Sequence, residues 1–154
     1  MGGGNVIMDK DELMTKIGSW AFIIGILVAL LVGLMQAMTY EEFLDNPLKI
    51  KDIFFSTELG GQVAWALALL GIIVGILAAL GKGTISRNET QGFLLAGISL
   101  IIMGGVFPVM IAAYHLQPYL GSLLEGISVS LAIFIAPAVG ILAIKTIWDI
   151  GRDV

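Results

Sequence analysis

The chain has 154 residues, of which 58% are hydrophobic and 13% charged, about half the charge of an ordinary soluble domain. A domain this small buries too little of its surface to hide so much apolar side chain from water. The net charge of −4 offers no basic face to nucleic acid, and the absence of cysteine removes disulfides, thiolate metal sites and thiol catalysis.

In chain order, Asp9-Lys10-Asp11-Glu12 has the form of a capping box, with Asp9 as N-cap and Glu12 reaching back. It predicts a helix that starts about two turns before the first apolar run, residues 17–38, where only Ser19 and Gln36 are polar. That run exceeds the apolar core of a signal peptide and ends in Met35-Gln36-Ala37-Met38, a poor cleavage site, so it is expected to stay attached.

Residues 40–58 form the richest polar stretch, five acids against two lysines with Phe43, Phe54 and Phe55 interleaved. Two readings stay open here: a docking surface for a partner or neighbouring copy, and a segment lying on the headgroups with its apolar side down.

The second span covers residues 61–80 and runs into Gly81-Lys82-Gly83-Thr84. A phosphate-binding loop would need glycine where Ile76 stands, a hydroxyl where Gly83 stands, and a strand before it. A helix terminus fits better: Gly81 or Gly83 supplies the left-handed residue, and Ser86 caps the next helix with Glu89 as its partner. The glycosylation acceptor Asn88-Glu89-Thr90 then falls in a first helical turn, on the side expected to face the cytoplasm.

The third span, residues 92–113, contains Gly104, Gly105 and Pro108, and the proline removes the bond to the Gly104 carbonyl. Just beyond it stands His115, the only histidine; a contact with Glu125 is conceivable, but a lone interfacial histidine is the simpler reading. The fourth span, residues 127–147, carries Ser128 and Ser130 near one end and Lys145 near the other. There Pro137 frees the carbonyl of Ile133. Both prolines predict bends, read either as gating hinges or as the ordinary tolerance of membrane helices for proline and glycine.

Together the spans predict an all-α, single-domain bundle of four transmembrane helices over residues 1–154. Six lysines and arginines (Lys10, Lys16, Lys82, Arg87, Lys145 and Arg152) fall on one side, against Lys49 and Lys51 on the other. By the positive-inside rule both termini are expected in the cytoplasm, with the chain in the cell membrane. Small residues recur every fourth position: Gly25, Ala29 and Gly33; Ala64 and Ala68; Gly71, Gly75 and Ala79; Ala132, Ala136 and Gly140. Such stripes let helix backbones approach closely, within one bundle or between copies.

No Asp, Glu or Arg lies inside a span, which argues against proton-coupled transport. The spans also lack a base and acid to activate a serine, so no catalysis and no cofactor or metal is expected.

The runs Leu70-Gly71-Ile72-Ile73-Val74-Gly75-Ile76-Leu77 and Thr84-Ile85-Ser86-Arg87-Asn88-Glu89-Thr90-Gln91-Gly92-Phe93-Leu94 resemble a group of small uncharacterised archaeal membrane proteins, as does Phe134-Ile135-Ala136-Pro137-Ala138. The resemblance covers roughly residues 65–147 and implies the same four-helix fold, with no assigned activity. The reading that follows is a structural or assembly subunit, surrounded by lipid and joined to its own copies or other membrane subunits. A permeation protein with a pore lined by Ser99, Ser128 and Ser130 is the alternative, and a hole-forming protein ranks below it.

Overall fold

The structure, a computed structural model, describes residues 9–39, 55, 57–81, 85, 89–114 and 118–152. These form four helices: α1 (Lys10–Thr39), α2 (Glu58–Ala79), α3 (Thr90–Tyr114) and α4 (Pro118–Arg152). Every one contains a stretch long and apolar enough to cross a bilayer, namely Lys10–Gln36, Glu58–Ala79, Thr90–Phe107 and Leu123–Arg152. The chain therefore has the architecture and composition of a multi-pass helical membrane protein.

Local chemistry sets the helix ends. α1 opens directly after Asp9, whose carbonyl accepts the Leu13 N–H at 3.0 Å. Asp11 and Glu12 occupy its first turn, where the helix dipole favours negative charge, and Glu12 also holds Lys16 Nζ at 2.9 Å. α2 opens three residues before its apolar run. Thr57 is extended there, with φ −77° and ψ 157°, and its hydroxyl oxygen accepts the Gly60 N–H at 3.1 Å.

The largest difference from the sequence expectation is α4, which starts at Pro118 rather than near residue 127. Proline at the first helical position loses nothing, since its missing N–H would have had no partner. Residues 121–126 are too polar to read as membrane span, but none of them prevents a helix. α4 also continues through Pro137 without interruption.

The order of close approaches gives the topology. Gly25 of α1 lies against the ring of Phe134 and Gly33 against Ile127, so α1 runs antiparallel to α4. Gly71 lies against Phe134 and Gly75 against Ala138, so α2 runs parallel to it. Gly97 lies against Val139 and Gly104 against Ala132, so α3 is antiparallel again. The bundle is up-down-up-down, and Lys10 and Arg152 lie at the same end.

α4 packs against α1, α2 and α3, while α1 and α2 also touch each other. Within the apolar stretches, 39% of α4 is buried inside the bundle against 6% of α3. Phe134 sits at the centre, clustered with buried Ala29, Leu67 and Val139. Its ring lies 6.2 Å from Phe22, which meets Phe93 edge-on at the same distance. Outside, Trp20, Trp65 and Trp148 are exposed, as are Leu27, Ile73, Ile102 and Ile144. In water such a surface would aggregate, whereas hydrocarbon accepts helices that are apolar all round.

Candidate functional site

Lipid tails are as apolar as leucine, so helices in a membrane are held by dispersion, close backbone approach and hydrogen bonds. Small residues therefore mark where contacts form. On α1, Gly25 and Gly33 face α4, and Ala29 between them has no exposed surface and joins the core cluster. Gly33 meets Gly126 backbone to backbone: a Cβ on Gly33 would stand 2.6 Å from Ile127 Cα, and one on Gly126 would stand 2.5 Å from the Gly33 oxygen. On α2, a Cβ at Gly71 would strike the carbonyl oxygen of Phe134, and one at Gly75 would come within 2.7 Å of Ala138 Cα. Ala79 packs against a second cluster made by Ala78, Ile85 and Leu142.

The α4 stripe divides. Ala132 is half-buried, and its Cβ lies 2.8 Å from where a Cβ on Gly104 would be. Ala136 and Gly140 are exposed, and a Cβ on Gly140 would meet nothing within 4 Å. Ile144, Ile147 and Gly151 are exposed on the same side at three- and four-residue spacing. Trp148 joins Ile144 and Ile147 around a shallow groove of about 450 Å³ at this end. A helix held by three neighbours thus keeps one open face, with Ala136, Gly140 and Gly151 as its small residues.

Gly105 also faces open space, but exposed Ile101 and Val109 flank it one turn to either side. Half-buried Pro137 lies where α2 crosses α4, its Cδ 3.5 Å from the position of a Cβ on Gly71. The sequence reading passed over Gly97 and Gly126, both close contacts, and the Thr57 cap. Gly126 and Ser130 do stand four apart, a signal visible once serine is counted as small.

At the α2–α3 turn, Gly81 has φ +70° and its N–H donates to the Ala78 carbonyl at 3.0 Å, the geometry of a glycine helix terminus. α3 opens at Thr90, with the Glu89 carbonyl accepting the Phe93 N–H at 2.9 Å. Ser86, His115, Phe43 and Phe54 lie outside the described residues, as do the side chain of Pro108 and most of the 40–58 segment. Phe55 is half-buried.

Of the three serines read as a pore lining, Ser128 and Ser130 are buried and Ser99 is exposed. Ser130 is fully buried, its hydroxyl donating to the Gly126 carbonyl at 2.7 Å. Ser99 is exposed on α3 and donates to the Leu95 carbonyl at 2.9 Å. Near the end of α4, Lys145 Nζ lies 2.8 Å from Asp149 Oδ2. Among the described residues no group of three His, Cys, Asp or Glu side chains could hold a metal ion.

Comparison of the chain with protein-family models, with curated proteins and with solved structures gives no match in any of the three.

Proposed function

We propose that this chain is a non-enzymatic membrane subunit that assembles with copies of itself through the open face of α4. The supporting observation is the pair Ala136 and Gly140, exposed at four-residue spacing on a helix that packs against all three others. By contrast, Gly33, Gly71 and Gly75 each sit against α4 backbone. A face that repeats this geometry is complementary to itself, which suits a two-fold pairing of α4 with α4.

Substituting Gly140→Leu tests this. Wild-type protein in detergent or lipid should run as an oligomer, and the variant should fall to the mass of one chain with thermal unfolding little changed. A wild type already monomeric, or a variant that keeps its size, would sink the reading. The permeation alternative has less support, because Ser128 and Ser130 are buried in the core while Ser99 is exposed.

The same reading sets both termini in the cytoplasm and the chain in the cell membrane. Its support is the six-to-two lysine and arginine asymmetry, together with the placement of Lys10 and Arg152 at one end of the bundle. A cysteine at Asn46 should react with an impermeant thiol reagent in intact cells while one at Ser86 stays protected. The reverse pattern would invert the orientation.

A further inference from the structure

The open side of α4 carries a repeat of its own. Gly140, Ile144, Ile147 and Gly151 are all exposed, and their spacing of four, three and four residues is that of the a and d positions of a heptad. Two helices that meet along such a seam cross at about 20°. The charged residues near this end stand off it. Lys145 and Arg152 each follow a seam residue by one position, and Asp149 falls two past Ile147. Two such seams can meet without burying a charge.

The groove of about 450 Å³ lies on this seam. Ile144, Ile147, Trp148 and Gly151 line it, and exposed Arg152 borders it. Counted from Ile144, the first four stand at n, n+3, n+4 and n+7. Those are the four positions that make the hole for a d-position side chain in parallel knobs-into-holes packing. Gly151 leaves the hole open, since a Cβ there would meet nothing within 4 Å. The d residue at this level is Ile147 itself, apolar and 70% exposed. One face thus carries, at one height, a hole and a side chain of the kind that fills it.

Copies inserted with the same topology can share a two-fold axis only along the membrane normal, which sets α4 parallel to α4 with equivalent residues opposite each other. We propose that the copies pair in this register, with Ile147 of each one seated in the groove of the other. Ile144 makes the adjoining layer, Gly140 and Gly151 make the layers at either end, and Trp148 covers the flank. The pairing rests on the assembly reading above and adds to it a direction, a register and an anchoring side chain.

Ile147 and Ile150 provide the test, because they lie on one helix within a turn of each other and are 70% and 63% exposed. Lipid meets both alike, and only a partner on the seam distinguishes them. In full-length protein in lipid, Ile147→Ala should weaken self-association by roughly tenfold or more, while Ile150→Ala leaves it unchanged. Neither side chain belongs to the core, so both variants should fold. The chain has no cysteine, so single-cysteine variants report one position each. Under mild oxidation Gly140→Cys, Ile144→Cys, Ile147→Cys and Gly151→Cys should form disulfide-linked dimers, and Ile150→Cys should not.

Equal effects of the two alanine variants would overturn the seam and leave the groove to lipid acyl chains. Cross-linking confined to Ala136→Cys and Gly140→Cys would overturn it too, in favour of a right-handed crossing centred on the small residues. In both cases the wild type still runs as an oligomer and the assembly reading stands. A monomeric wild type would end both.

Discussion

Helix α4 presents two kinds of face, and small residues stand on both. Toward α2, Gly71 and Gly75 allow backbone to approach backbone at Phe134 and Ala138. Away from its neighbours, Ala136 and Gly140 are exposed, and a Cβ on Gly140 would meet nothing within 4 Å. The composition is alike and the consequence is not. On the closed face a missing side chain creates contact, while on the open face it leaves the backbone exposed. A stripe of small residues states that close approach is allowed, and only the surrounding helices decide whether it has happened.

The largest effect that would sharpen this contrast is Gly71→Leu. Its Cβ would collide with the carbonyl oxygen of Phe134, an atom fixed by the α4 backbone that no rotamer change can move. Overpacking in a tight core costs about 1–3 kcal/mol and sometimes more. The variant should therefore accumulate poorly or unfold well below wild type in a detergent thermal scan, while Gly140→Leu melts with wild type. Equal melting of the two would erase the distinction between the faces.

Smaller and more telling is the sign of a glycine-to-alanine change. Gly75→Ala places a methyl 2.7 Å from Ala138 Cα and should destabilise, because α2 must then move off α4. Gly140→Ala meets open space, so it should gain the roughly 0.5–1 kcal/mol by which alanine exceeds glycine inside a helix. Measured at dilutions that keep the chain monomeric, opposite signs would support the division, and a loss at both positions would break it.

Hydropathy made the four spans legible, because crossing a bilayer demands length and apolarity and little else. Helix ends were legible where local signals mark them, as at Gly81, whose positive φ closes α2, and at Asp9, directly after which α1 opens. They were not legible where a helix leaves the apolar run. The first turns of α4 hold Gly121, Ser122 and Glu125, which read as loop on an apolarity scale although a helix tolerates each of them. Nor does sequence distinguish Gly75 from Gly140, since both lie in four-residue stripes and differ only in what stands opposite. Gly97 was missed because neither position four residues away from it is a glycine or alanine; its importance comes from Val139 on another helix.

The hub position of α4 also bears on how the chain is built. It is the last of the four helices to leave the ribosome, and it provides the surface against which the other three close. Until it enters the membrane, α1 and α2 can lean on each other, but the faces carrying Gly33, Gly71 and Gly104 have not met their counterparts. Most of the packing is thus deferred to the end of synthesis. The insertion machinery, or the bilayer itself, must shelter three loosely associated helices until a single late arrival locks them together.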